Sequence, residues 1–327
     1  MAKTRVLVTR RIPEAGLEAI KSFADVELWS GEEPIPRNEL CEKVSEVDGL
    51  YCLLTDTIDE ALLSLAPRLR VVSTMAVGFD HIDIQACTKR KIPVGNTPGV
   101  LTETTADFAF ALLMAAGRRI GEAAEFVKAG RWGAWDPALF VGQDVNGATA
   151  GIIGFGRIGQ AVAKRAHGFG MRVLVNHSRP IPSELLAQAN VEQVSFDRVI
   201  AESDFLSLHV PLTSETQQLI DKKVLNRMKR TAILINTSRG RVVDSKALYD
   251  ALRNQNIAYA ALDVTDPEPI SVDDPLLTLP NCLVVPHIAS ASVATRRKMA
   301  LMAAENLRAG LAGEDLPYCV NPEVFKK

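Results

Sequence analysis

The sequence predicts an α/β protein built on parallel sheets with helices on both faces, and three observations predict it. Short β-branched runs alternate with helical stretches from one end to the other, the pattern left by βαβ units. The alternation comes in two series, with a stretch of different character between Leu101 and Asn146. The chain has 327 residues, more than one ordinary core holds, so two domains are expected.

In order, the first series places strands at Arg5–Thr9, Val26–Trp29, Gly49–Leu54, Arg70–Met75 and Pro93–Asn96. Between them Glu14–Phe23, Arg37–Val47 and Asp59–Leu65 carry apolar residues at helical spacing. Thr102–Arg118 follows as a helix, apolar nearly all round over Phe108–Ala116, for which deep burial is expected. The Gly- and Pro-punctuated loop after it holds Trp132, Trp135 and Phe140. Aromatics in such a loop pack either on their own domain or on a partner subunit. The second series places strands at Ala148–Gly154, Arg172–Asn176, Asp204–Val210, Ala232–Thr237, Ala258–Val264 and Cys282–Pro286. A last helix, Ala291–Ala312, has no strand after it and is expected to return to the N-terminal unit.

Composition narrows the function classes. The chain is 47% hydrophobic and 23% charged, which argues against broad disorder. With 37 Lys plus Arg against 39 Asp plus Glu it has no basic excess for nucleic acid, and Arg296-Arg297-Lys298 reads as one solvated helix face. The apolar run Phe108–Ala116 is about half a bilayer span. Neither MAKTRVLVTRR nor the closing Phe325-Lys326-Lys327 carries a targeting signal. The five cysteines (41, 52, 87, 282 and 319) are scattered with no CxxC pair, the usage of a reducing, cytoplasmic compartment, and no residue cluster has metal-ligand spacing.

The most informative segment is ATAGIIGFGRIGQAVAKRAHGFGMRVLV. It sets Gly154-Phe155-Gly156-Arg157-Ile158-Gly159 between a strand and a helix, and in that context a GxGxxG becomes a dinucleotide-binding turn. Gly154 permits the turn, Gly156 lets backbone approach a pyrophosphate, and Gly159 allows close helix–strand contact. Arg157 and Ile158 open the helix whose free N–H groups face the phosphates. Eighteen residues past Gly159, where an NAD enzyme usually carries an acid, stand Asn176-His177-Ser178-Arg179. A carboxylate about 4 Å from a 2′-phosphate would repel it by roughly 4 kcal/mol at intermediate dielectric. Its absence, with donors at His177, Ser178 and Arg179, favours NADPH, with NADH as the alternative.

Three polar residues fall where strands of the second series end, the edge at which such sheets bind ligands. They are Arg239 after AILINTS, Glu268 after AALDV and His287 after CLVV. Together they supply a fixed cation for a carboxylate, a proton donor and an acid to tune it. Pro211, Thr237, Ser238 and Asp263, from the same strand ends, are assigned to the cofactor. His209 is expected to be a packed strand residue, and His81 and His167 structural or solvated.

Over its whole length the sequence resembles the D-isomer-specific 2-hydroxyacid dehydrogenases. Arg239-Gly240, Glu268-Pro269 and Pro286-His287 match the family's Arg–Glu–His motifs, in order behind the Gly turn. Within the family it is most similar to glyoxylate/hydroxypyruvate reductases, through VSTMAVGFDHID (72–83), NTPGVLTETTA (96–106), LDVTDPEP (262–269) and LLTLPNCLVVPHIAS (276–290). The resemblance implies two Rossmann-like domains, with the cofactor domain (101–289) inserted into a substrate domain (1–100 and 290–327) and a ligand cleft between them. It implies a homodimer held through 101–146, in which Trp135 reaches a neighbouring site. It also implies reduction of a small 2-oxo acid. The carboxylate would lie on the N–H groups of Val77 and Gly78, bridged by Arg239, with His287 as proton donor kept charged by Glu268. Leu54, Met75 and Ser290 are candidate pocket walls, Leu54 and Met75 being otherwise plain core. The rivals are a phosphoglycerate-type or other D-2-hydroxyacid dehydrogenase and, from a different class, a nucleotide-sensing corepressor. The chemically complete triad argues against the corepressor.

Overall fold

The structure, a computed structural model, describes residues 4–326. Residues 1–3 and Lys327, the ends of the segments assessed for targeting signals, lie outside them. The chain forms two compact units: one runs up to Leu101 and resumes at Ala291, and the other is Thr102–Ser290.

The first unit is a sheet of five strands, β1 (Arg5–Val8), β2 (Asp25–Leu28), β3 (Gly49–Cys52), β4 (Val71–Thr74) and β5 (Val94–Gly95), in the order β2-β1-β3-β4-β5. All pairings are parallel, with Leu50 opposite Val72. Every residue of β3 and β4 is buried, as a strand covered on both faces requires. The helices Glu60–Ser64 and Ile84–Lys89 start on Asp59 and Asp83, whose side chains accept from Leu62 N–H and Ala86 N–H. Each satisfies an orphan donor of the first turn. The helix Val293–Ala312 returns across this sheet, where its carbonyls receive the strands' polar side chains. Tyr51 Oη donates to Ala300 O at 3.3 Å and Ser73 Oγ to Ala303 O at 2.9 Å.

The second unit is a sheet of seven parallel strands: β6 (Thr149–Ile153), β7 (Arg172–Asn176), β8 (Glu192–Gln193), β9 (Phe205–Leu208), β10 (Ile233–Asn236), β11 (Tyr259–Leu262) and β12 (Cys282–Val284). Their order is β12-β11-β10-β9-β6-β7-β8. The chain winds outward from β6 through β7 to β8, then crosses to β9 and winds the other way, so the switch point lies beside β6. The strands divide their side chains strictly by period two. Ile152, Val175, Phe205, Ile235 and Ala261 join an apolar cluster with the helices Thr102–Gly117 and Arg157–Gly168. Ile153, Leu174, Leu206, Leu234 and Leu262 join a second cluster with Phe196–Glu202 and Ser245–Arg253.

Three features depart from the expectations. The two-residue strand β8 was not anticipated. The Thr102–Gly117 helix is buried along one face, through Ala106, Ala109, Phe110 and Leu113, but Glu103, Asp107 and Ala111 are exposed. Two acids at one-turn spacing mark the wet side: Arg165 bridges both, at 2.9 Å to Glu103 and 2.5 Å to Asp107. Finally, the amphipathic helix Ile120–Lys128 buries no residue at all, and Trp132 and Trp135 after it are 60% and 80% exposed. Phe140 packs within the arm, edge-on to Phe126 at 5.2 Å with the Arg119 guanidinium over its ring.

Candidate active site

The Gly turn follows β6 at the switch point, and its three glycines do three different jobs. Gly154 has φ +94°, and a Cβ there would lie 2.4 Å from the His209 carbonyl oxygen. A Cβ on Gly159 would fall 2.1 Å from Gly154 O, so only glycine lets the helix start this close to the strand. Gly156 meets nothing within 4 Å; the space its missing Cβ leaves is outside the fold, where a ligand can approach. The helix Arg157–Gly168 begins there with Gly156 as N-cap and no side chain on its free N–H groups. Elsewhere in this unit Ser195, Asp221 and Asp244 cap their helices with side-chain oxygens. The uncapped end is therefore ready for an anion.

The His177 ring stands at the end of β7 and accepts the Phe155 N–H through Nδ1 at 3.3 Å, bracing the turn. Ser178 and Arg179 are exposed. β8 fixes their loop, for Gln193 donates to Arg179 O at 3.1 Å and accepts from Ile181 N–H at 2.9 Å. His209, just past β9, pairs with Ser207 Oγ at 2.8 Å, and burial pushes its pKa down to about 4. Pro211 is exposed beyond it. Thr237, after β10, has a buried hydroxyl with no hydrogen-bond partner in the structure. A buried orphan of this kind calls for a ligand partner, and with the open space at Gly156 it makes the strand ends fit a dinucleotide.

Arg239 is half-buried on the next turn. Buried Asn236 shapes that turn, donating to Arg239 O at 2.9 Å and accepting from both Ser238 N–H and Oγ. At the ends of β11 and β12 the structure brings Glu268 and His287 together: Nδ1 lies 2.5 Å from Glu268 Oε1. The His287 side chain is 26% exposed. A carboxylate on Nδ1 takes the Nδ1–H and leaves Nε2 as the free ring nitrogen, a donor when the ring carries both protons. His287 has φ +53°, a left-handed conformation that costs about 1–3 kcal/mol for a side chain of this kind. Asp263 offsets it: its carbonyl accepts His287 N–H at 2.9 Å, and its carboxylate accepts Ile288 N–H at 2.7 Å and Ala289 N–H at 2.9 Å. Burial raises the Asp263 pKa against those two bonds. Within the chain Asp263 thus holds the His287 loop. Its place at a strand end was visible in the sequence; its partners, about 25 residues on, were not.

In the other unit Met75 is 6% exposed and belongs to the core, whereas Leu54 is 37% exposed. Val77 and Gly78 follow β4 half-buried, and among the described residues neither of their N–H groups has an acceptor. Ser290 is 9% exposed. Burial pushes the thiols of buried Cys87 and half-buried Cys282 up to about 12, away from the thiolate. Among the described residues no group of His, Cys, Asp or Glu could hold a metal, and no helix is long and apolar enough to cross a membrane.

Residues 110–289 match the family model described as the NAD binding domain of the D-isomer specific 2-hydroxyacid dehydrogenases. The chain belongs to that family. It is an oxidoreductase whose Thr102–Ser290 unit contains the family's nicotinamide-cofactor domain. Among similar 2-hydroxyacid dehydrogenases, a glyoxylate reductase of Korarchaeum cryptofilum is 54% identical over 99% of this chain and 98% of its own. A Thermus thermophilus protein of known structure superposes with TM-score 0.91 at 45% identity, covering 97% of this chain and 99% of the other. The NADPH-dependent glyoxylate/hydroxypyruvate reductase of Sinorhizobium meliloti, solved with NADP and malonate, does so with TM-score 0.86 at 30% identity, covering 100% and 99%.

Proposed function

We propose that this dehydrogenase is an NADPH-preferring reductase of small 2-oxo acids, turning glyoxylate into glycolate and hydroxypyruvate into D-glycerate. The observation that carries the proposal is the 2.5 Å His287–Glu268 pair at the strand ends of a cofactor domain. The names borne by its relatives from Korarchaeum cryptofilum and Sinorhizobium meliloti support the substrate class. Bound NADPH supplies the hydride. Arg239 holds the substrate carboxylate and polarises the carbonyl oxygen, as a fixed guanidinium fork suits. The N–H groups of Val77 and Gly78 are further donors for the carboxylate, and Leu54 and Ser290 are candidate substrate contacts. His287 gives the proton on Nε2 to the carbonyl oxygen as the alcohol forms, while Glu268 keeps the ring oriented and stabilises the charge it carries.

Cofactor preference rests on residues 177–179, where no acid stands and the exposed Arg179 makes no ion pair among the described residues. The exposed apolar surface of Ile120–Lys128, Trp132, Trp135 and Val141 supports a homodimer through the 101–146 arm, with Trp135 reaching the partner's site. Five unpaired thiols are consistent with a cytoplasmic enzyme.

Initial rates of NADPH and NADH oxidation with glyoxylate, hydroxypyruvate, pyruvate and 3-phosphohydroxypyruvate test the proposal. Fast NADPH-linked turnover of the first two is expected. Preference for 3-phosphohydroxypyruvate would transfer the assignment to a phosphoglycerate-type enzyme, and preference for NADH would overturn the role given to Arg179.

A further inference from the structure

We infer that Asn96, locked in place by Asn306 of the C-terminal helix, is a positioning residue that aims the Val77 and Gly78 N–H groups at the substrate carboxylate. The inference rests on the reductase reading above, and its basis is the geometry of two successive peptide planes. In a trans peptide the C=O and the following N–H lie in one plane and point in opposite directions, so a carbonyl that is held fixes the N–H across from it.

Both carbonyls here are held, and from the same place. Ala76 O accepts Thr97 N–H at 2.8 Å, and Val77 O accepts the Asn96 side-chain amide at 2.8 Å. The peptide 76–77 therefore turns the Val77 N–H away from the 96–97 segment, and the peptide 77–78 does the same for the Gly78 N–H. Two adjacent N–H groups directed to one side can together receive one anion. Neither has an acceptor among the described residues.

Asn96 is itself fixed by a closed ring of bonds. Its N–H donates to Tyr318 O at 3.1 Å, and its C=O accepts Asn306 Nδ2 at 3.0 Å. Asn306 Oδ1 accepts the Tyr318 N–H at 3.1 Å. Asn306 is wholly buried, and it reaches the strand because residue 95 is glycine: a Cβ there would lie 2.5 Å from Asn306 Cγ. Buried amides are costly when left unpaired; the Asn96 amide nitrogen and both polar atoms of Asn306 find partners around the segment that holds Val77.

The test compares Asn96→Ala with the parent enzyme. Removing the amide frees the 77–78 peptide. The KM for glyoxylate and the inhibition constant of oxamate, a small carboxylate analogue, are expected to rise together by about tenfold, the weight of one well-placed hydrogen bond. The kcat should stay within about threefold, and NADPH affinity by fluorescence titration should not move, since the cofactor residues lie in the other unit. Asn306→Asp keeps an acceptor for Tyr318 but loses the donor to Asn96, so a smaller rise of about threefold is expected. If Asn96→Ala does not fold, this variant decides. A folded variant whose KM and oxamate inhibition are unchanged, or whose kcat alone falls, overturns the inference. A parent enzyme that neither binds oxamate nor reduces glyoxylate overturns the reductase reading and this inference with it.

Discussion

The two units share one architecture, an all-parallel sheet, but they furnish their strand ends differently. In Thr102–Ser290 the ends of β10, β11 and β12 lead to Arg239, Glu268 and His287, side chains that carry charge or protons. After β4 of the other unit stand the main-chain N–H groups of Val77 and Gly78, beside the buried amides of Asn96 and Asn306. On the proposed reading the same fold does two kinds of work. Titratable side chains move protons, and a rigid backbone recognises a charge. The first kind should register in kcat and in pH dependence, the second in KM.

The sharpest way to break this contrast is His287→Ala. Loss of a general acid costs about 10²–10⁴-fold in turnover, so steady-state kinetics with glyoxylate should show that fall with NADPH affinity intact. A loss under about tenfold would take the proton-donor role away from His287 and leave the two units alike.

The next effect falls on stability and again belongs to the side chains of the cofactor unit. His209 is held near pKa 4, below the usual 6.5. Its contribution is therefore complete above about pH 6.5 and lost as pH falls toward 4, because the unfolded chain takes up a proton the folded one refuses. The loss amounts to about 3 kcal/mol. Urea denaturation of parent and His209→Gln across that window should show the parent's curve falling more steeply, and parallel curves would refute the assignment.

Smaller effects separate glycines that serve the fold from those that serve the ligand. Gly159→Ala should destabilise by about 1–3 kcal/mol through the clash with Gly154 O. Gly156→Ala has room in the fold, so its melting temperature should stay within about a degree while cofactor binding weakens. Equal melting losses in the two would show that Gly156 is structural. The mildest expected change is Arg179→Gln, which should raise the KM for NADPH by about tenfold and leave that for NADH alone. Equal effects on both cofactors would remove the 2′-phosphate contact.

The sheets were legible because period and turn chemistry are local. The β-branched run at Ile233–Asn236 stands out unaided, and so does a GxGxxG between a strand and a helix. The strand Glu192–Gln193 was not legible, since two polar residues carry no period. Nor was the wet face of Thr102–Gly117, because Ala111 reads as core wherever it points. Arg239, Glu268 and His287 could be named from their place at strand ends, Val77 and Gly78 from the family resemblance. What holds them could not, for the Asn96–Asn306 bond spans 210 positions and Asp263 grips a loop 25 residues away. A hydrogen bond between distant polar residues leaves no pattern in either segment.

The bare first turn of the Arg157–Gly168 helix has a consequence for how the protein ripens. The helices Phe196–Glu202 and Ser245–Arg253 bring their own capping oxygen; this one, like Ser183–Ala189, does not, and it starts at the Gly turn. Without its cofactor the domain is short of a part, and that turn is where it should fray first. Loading is then the last step of folding as much as the first step of a reaction. The cofactor should protect the amides of residues 156–158 from exchange and raise the melting temperature as its concentration climbs past the dissociation constant.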